Sequence, residues 1–294
     1  MRKNSQRIIA GALMLTVLVS TGCSVQNSQQ TVTEQQTQQS TTSETEPETG
    51  APVADTDETT DGVVNYGMME DTSIKVEPIE LTDEWDKVFP LSDEVNHRKV
   101  TFVNHFGNTL AADLYEPKEY TGKIPAIAVS GPFGAVKEQS SGLYAQEMAE
   151  RGFLAIAFDP SFTGESGGYP RYFNSPDINV EDYQAAIDFL STQDNVDPEQ
   201  IGIIGICGWG GIALNAAAID PRIKVTVVST MYDMSRIAGN GYFDNQDNEE
   251  ARYQARLALA NQRTLDAQTG QMQLAGGVPD VLPEDAPYFV KDYF

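Results

Sequence analysis

The run Gln200-Ile201-Gly202-Ile203-Ile204-Gly205-Ile206-Cys207-Gly208-Trp209-Gly210-Gly211 constrains this chain more than any other segment. It is an apolar stretch that ends in a turn of small residues. Ile212-Ala213-Leu214-Asn215-Ala216-Ala217-Ala218-Ile219 follows, apolar, alanine-rich and helical in character. A strand, a sharp turn and a helix in that order hold a nucleophile at an exposed corner. Cys207 stands at that corner. No histidine follows it in the sequence, and a nucleophile of this type needs a base.

The acidity of the chain narrows its partners. The formal charge is -24, and ten of the 43 acids fall between residues 24 and 74, where there is no Lys or Arg. The remainder is acidic as well. Such a surface repels phosphate backbones and anionic headgroups, which excludes nucleic acid as a partner. The first 23 residues read as a targeting segment. Arg2, Lys3 and Arg7 precede a short apolar stretch, Ile8 to Val19, and then Ser20-Thr21-Gly22-Cys23. The apolar stretch is shorter than the roughly 20 residues of a membrane span. Small residues before a cysteine resemble a bacterial lipoprotein signal, in which Cys23 is acylated and becomes the new N-terminus. An ordinary cleaved signal with an incidental cysteine is the alternative. The first reading implies an exported protein, lipid-anchored on the extracytoplasmic face of a membrane. Cys207 is then a lone thiol outside the cell, either buried or reactive.

Residues 24–74 are Thr, Gln, Ser and Glu with few large apolar side chains. They bury too little surface to offset chain entropy and are expected to form a disordered tether. The globular part, 75–294, alternates strands and helices. Lys99–Val103 and Thr109–Tyr115 read as a hairpin, and Pro125–Ser130, Leu154–Phe158 and Val225–Ser229 as further strands. Helices are expected from Ser141 to Arg151, with Tyr144 and Met148 on one face, and around Tyr183, Ala186, Ile187 and Leu190. Glu181 and Asp182 are placed in the first turn of the second helix, where acids favour the dipole. A polar helix is expected from Asn248 to about Gln271. Alternation of this kind implies an α/β fold, a mostly parallel sheet with helices on both faces.

Three segments carry a family resemblance: Gly131-Pro132-Phe133-Gly134-Ala135-Val136-Lys137-Glu138-Gln139, Phe158 to Gly168, and Gly205-Ile206-Cys207-Gly208-Trp209-Gly210-Gly211. Together they resemble the dienelactone-hydrolase-like branch of the α/β-hydrolase superfamily, over about Asn96 to Asp233. The resemblance implies an esterase or lactonase acting on a small-molecule substrate. It makes Cys207 the nucleophile and turns the amides of Gly208 and Phe133, or its neighbour Gly134, toward the developing oxyanion. Asp233 stands where the family places an acid, and a histidine would follow. The residues agree without the family. A thiol at a helix N-terminus ionises more readily, and the N–H groups there bind negative charge. Trp209 departs from the usual spacing, since the small residue Gly210 stands three, not two, after Cys207. The register of the turn stays open on this point. A buried, inert Cys207 is the competing reading.

Two motifs look like sites and are read as structure. Gly164-Glu165-Ser166-Gly167-Gly168 matches G-x-S-x-G, but Tyr169-Pro170 follows and no helix begins there. It reads as a loop tied down by Asp159. Gly208 to Ala213 fits G-x-G-x-x-A, yet several strands precede it, so no dinucleotide is expected. No metal-ligand cluster stands out, and no cofactor is expected. His97 and His105 lie in or beside the first hairpin, at the sheet edge, about 19 Å from the elbow strand at roughly 4.8 Å per strand. Both are expected on the surface, out of reach of Cys207. The family normally continues with two more strands that carry the acid and the histidine. Their absence implies a C-terminally truncated or degenerate member, with impaired hydrolysis and an exposed, poorly soluble edge beside Val225–Ser229. The alternative is a non-catalytic lipoprotein that keeps a hydrolase fold for binding.

Overall fold

The computed structural model describes residues 76–274 except 83 and 232, together with 282 and 284. All belong to the compact unit Gly67–Phe294. The signal segment with Cys23 and the 24–74 tether lie outside the described residues.

Among the described residues six strands form one sheet: β1 Val95–Val103, β2 Thr109–Pro117, β3 Ile124–Ser130, β4 Leu154–Phe158, β5 Val196–Ile206 and β6 Ile223–Ser229. Their order across the sheet is β1-β2-β4-β3-β5-β6. The β1–β2 hairpin and the β2–β4 pair are antiparallel, and β4, β3, β5 and β6 run parallel. The helices are α1 Ser140–Ala149, α2 Pro176–Ser191, α3 Trp209–Ile219, α4 Met234–Asn240 and α5 Glu249–Thr269. This is the mostly parallel α/β architecture expected from the alternation.

Period-two alternation sorts the strand residues onto two faces. Ala126, Ala128, Leu154, Ile156, Ile201 and Ile203 pack with α2 and α3 on one face. Ile127, Val129, Ala155, Ala157, Ile204 and Ile206 pack with α1 on the other. Both faces are covered, so the central strands read as continuous apolar runs. Each fully buried Ile or Leu stabilises the fold by about 1.5–3 kcal/mol relative to exposure.

The structure corrects three local expectations. The covered face of α1 is Ser141, Gly142, Ala145, Gln146 and Ala149, while Tyr144 is exposed. Small residues face the sheet because α1 lies close against it. Helix α2 begins at Pro176, with Asp177 in its first turn, because proline at the start is already set to helical φ. Asp182 is therefore a turn further in, and its carboxylate is fully buried. Finally, His97 is half-buried rather than fully on the surface. Its Nε2 lies 2.7 Å from Asp113 Oδ1, and its ring packs edge-on against Trp85. The segment before β1 folds back over it, which a strand pattern does not reveal.

Strand β6 is the last on its side among the described residues. None of its residues is buried, and Val225, Val227 and Val228 are exposed.

Candidate functional site

Because β4, β3 and β5 are adjacent and parallel, their C-terminal ends open on the same side. Three loops meet there: 131–139 after β3, 159–175 after β4, and the turn at Cys207 after β5. The crevice beyond the strand ends is where open α/β sheets bind ligands.

The turn at Cys207 is strained. Cys207 has φ 59, in the left-handed region that a non-glycine residue occupies only at a cost of order 1–3 kcal/mol. That value settles the register left open by Trp209: the corner is at Cys207. Its N–H donates to the Ser229 carbonyl at 2.9 Å, and its own carbonyl accepts from Gly210 N–H at 3.1 Å. Helix α3 starts two residues later, with Gly208 as its N-cap. Cys207 is half-buried against the α1 side of the core. Gly205 is required two residues earlier, on β5. A Cβ there would sit 2.5 Å from the Trp209 carbonyl oxygen and 2.7 Å from Ala213 Cβ. Trp209 departs from the small-residue spacing because its ring turns into the core, edge-on to Phe158 and Tyr183.

The loop after β3 lies directly on this turn. A Cβ on Gly131 would fall 2.4 Å from the Ile206 carbonyl oxygen, and one on Gly208 would be 3.4 Å from Phe133 Cβ. Phe133 and Gly208, expected at the oxyanion site from two separate segments of the sequence, are thus neighbours. Gly134, with φ +84, continues the same loop. Met234 Sδ packs at 3.0 Å from the Gly208 Cβ position, and Met231 lies against Gly210. Tyr144 on α1 reaches the site too, its hydroxyl 3.0 Å from Ser229 Oγ. These three residues escaped the sequence reading, since nothing local marks them.

Asp233 is given a structural task. Its carboxylate caps α4, accepting from Arg236 N–H at 3.0 Å and from Ser235 Oγ at 2.6 Å. The two histidines stay apart from Cys207. His97 is on β1, four strands across the sheet from β5, and His105 sits in the β1–β2 turn beside Glu181. Among the described residues no group of three or more His, Cys, Asp and Glu is placed to hold a metal ion.

The loop after β4 is held by a cluster of charges. Lys137, fully buried, ion-pairs with Asp159 Oδ2 at 3.1 Å, with Glu165 Oε2 at 2.6 Å and with Glu138. Lys99 adds contacts to Glu165 at 2.8 Å and Asp86 at 3.3 Å. Asp159 also accepts from the backbone N–H groups of Lys137 and Glu165. Ser166, the serine of the G-x-S-x-G look-alike, is buried; it donates to the Asp159 carbonyl and accepts from Ala111 N–H. The look-alike is a loop tied by Asp159, as its context implied. Burial works to raise the Asp159 carboxyl, to about 6, against the pull of Lys137. At Glu165 burial is outweighed by hydrogen bonds from Lys137 and Lys99, which hold it near 2.

This yields a pH prediction. The folded pKa of Glu165 lies below its ordinary 4.5, so its contribution to stability is present above that value and is lost as pH falls toward 2. Asp159, raised, acts in the opposite sense at higher pH. Urea midpoints of the wild type and Glu165→Gln across this range isolate Glu165. Their difference should be largest at neutral pH and should shrink below about 4.5. A pH-independent difference would contradict the ion pairing.

Beside the loop after β3 lies an open cavity of about 230 Å³. Phe133, Trp209, Pro160, Tyr172, Phe173 and Asn174 contribute to its walls.

Comparison with known proteins places this geometry in a family. The profile described as X-Pro dipeptidyl-peptidase (S15 family) matches residues 107–280. The chain is 56% identical over 220 residues to the uncharacterized protein PA2218 of Pseudomonas aeruginosa, covering 72% of this chain and 59% of that one. The crystal structure of PA2218 superposes with a TM-score of 0.67, over 73% of this chain and 67% of the crystallised one. The thiohydrolase aneE of Aspergillus aculeatus is 35% identical over 136 residues, 46% of this chain and 42% of that one. The α/β hydrolase GrgF of a Penicillium species shares the fold at 22% identity, with a TM-score of 0.53, over 67% of this chain and 64% of its own. The chain therefore spans about three fifths of the length of PA2218. With its sheet order, its strained corner after β5 and its glycine-dependent loop packing, this chain is an α/β hydrolase by fold and belongs to the X-Pro dipeptidyl-peptidase (S15) family.

Proposed function

We propose that this chain carries out acyl transfer on carboxylic ester or thioester bonds, with Cys207 as nucleophile, as in the dienelactone-hydrolase-like enzymes it resembles. The single observation behind this is the left-handed backbone of Cys207 at the mouth of the sheet. Strain of this kind persists only where the surroundings impose it, and it turns the side chain out of the strand line. In the proposed step the thiolate sulfur attacks the carbonyl carbon, and the thiol proton passes to solvent. The Gly208 and Phe133 or Gly134 amides stabilise the oxyanion. The C–O or C–S bond to the leaving group then breaks, and the alcohol or thiol departs after taking a proton from water. A relative named as a thiohydrolase supports a thioester-type bond. Asp233 is the proposed acid. Neither His97 nor His105 is near Cys207, so acylation should outrun release of the acyl group, and hydrolysis should be impaired. The proposed setting is extracytoplasmic, with Cys23 as the lipid-bearing residue; loss of incorporated labelled palmitate in Cys23→Ala tests it.

Mass spectrometry after incubation with 4-nitrophenyl acetate tests the chemistry. About one acyl group per chain is expected to stay on Cys207, with 4-nitrophenol released as a burst before slow turnover. Cys207→Gly should carry no adduct, yet melt slightly higher, because glycine accepts φ 59 at no steric cost. An adduct that survives in this variant refutes the assignment.

A second reading, a binding protein with a hydrolase fold, is favoured by the same distance between the histidines and Cys207. It would be supported by ligand binding without any adduct.

A further inference from the structure

We infer that the cavity beyond β3 and β4 receives the ring of an uncharged aryl-acyl group, which makes aryl esters or thioesters the substrate class of this site. The chemistry rests on the acyl-transfer reading above; the cavity does not.

Its size is the first argument. At about 230 Å³ the cavity is smaller than the roughly 300–1,000 Å³ that hold drug-sized ligands. It fits one ring better than a long flexible chain. Its walls are the second. Phe133, Trp209, Tyr172 and Phe173 line it, together with Val136 and Pro160. Aromatic faces and edges attract a ring beyond simple area burial, by about 0.5–1.5 kcal/mol per pair. No charged side chain is among the lining residues. The charges nearby are spent on one another in the Lys137–Asp159–Glu165 cluster.

The lining side chains Ser161, Asn174 and Asn179 are committed to hydrogen bonds within the protein. Ser161 Oγ donates to Asp182 Oδ1 at 2.7 Å and accepts from Asn104 and Asn108. The Asn179 amide donates to Asp182 Oδ2 at 3.0 Å, and its oxygen accepts from Asn174 Nδ2 at 2.6 Å. Asp182, buried at the centre, also accepts from Ser161 N–H at 2.9 Å and Asn104 Nδ2 at 2.7 Å. These bonds fix the lining and leave an apolar ring as its best complement.

The cavity is built in advance. Phe162 and Tyr172 hold φ 75 and 57, two strained aromatic positions in one loop. Tyr172 N–H donates to the Phe162 carbonyl at 2.8 Å, and the Arg171 guanidinium ties the carbonyls of Gly164 and Ser166. Strain held this firmly lowers the ordering cost of binding. Phe173, edge-on to Phe162 with centroids 5.5 Å apart and 39% exposed, is the residue that sets specificity.

Ligand-observed NMR on the full chain carrying Cys207→Ala reads binding without chemistry. Benzamide should bind, and acetamide and benzoate should each bind about tenfold more weakly or worse, for lack of the ring or for its charge. Phe173→Ala, with an unchanged circular dichroism spectrum, should weaken benzamide about three- to tenfold. Absent benzamide binding, equal binding of the three probes, or no effect of Phe173→Ala would overturn the inference. Adducts on wild-type Cys207 from the 4-nitrophenyl thioesters of acetate and benzoate separate it from the reading beneath it. Benzamide binding with no adduct from either thioester leaves the cavity assignment intact and removes the acyl-transfer reading. Adducts that form equally fast from both keep that reading and remove the ring preference.

Discussion

Lys137→Met is expected to destabilise the protein by about 3–5 kcal/mol, read as a fall in the urea midpoint. The ammonium is fully buried and faces the carboxylates of Asp159, Glu165 and Glu138. Burial alone would lower its pKa, but the carboxylates outweigh that and raise it, so it stays charged. Methionine fills the space and removes the charge. Asp159 is then left fully buried with only backbone N–H partners. The cost of such a change lies mainly in the partner left behind. Lys137→Met with Asp159→Asn should therefore recover part of the loss. If the double variant is as unstable as the sum of the two singles, the pairing does not carry the stability assigned to it. The cluster also anchors the loop that walls the cavity, so ring binding should weaken in Lys137→Met.

Gly205→Ala should nearly abolish acylation of Cys207 while costing about 1–3 kcal/mol of stability. The added methyl would lie within 2.5 Å of the Trp209 carbonyl oxygen and 2.7 Å of Ala213 Cβ. Neither is the free end of a flexible side chain, so α3 must move away from β5. The strained corner sits between the two. A displacement of about 1 Å at a reacting group costs on the order of a hundredfold in rate. Gly211→Ala is the control: nothing lies within 4 Å of its Cβ position. In a helix that change should be neutral or stabilising by about 0.5–1 kcal/mol. Adduct formation followed by mass spectrometry, with melting curves for both variants, gives the comparison. If Gly205→Ala acylates at the rate of Gly211→Ala, the geometry of the turn does not govern the chemistry.

Much of the fold was readable in the chain. Pro125–Ser130 and Leu154–Phe158 are short apolar runs bounded by breakers, and both are central strands. The Gly164–Gly168 look-alike failed for the reason its sequence gave, since no helix follows it. The candidate nucleophile, Cys207, and the loop at Phe133 were also visible, because each is a local pattern of small and apolar residues. What escaped was set by residues far apart in sequence. His97 meets Asp113 across a strand pair and Trp85 across a folded-back segment. Asp182 looked like an acid at a helix start and proved to be the buried centre of four hydrogen bonds. Tyr144 reaches the corner from α1, and Met231 and Met234 from the segment that follows β6.

The sequence by itself determined the alternation of strands and helices, the sharp turn that presents Cys207, and the net acidity of the chain. These follow from local spacing and composition, which act over a few residues. Only the tertiary structure decided the register of that turn, through φ at Cys207, and the cavity that Trp209 shares with the loops after β3 and β4. Those depend on which strands become neighbours, and close packing of the whole sheet, rather than any one segment, fixes that choice.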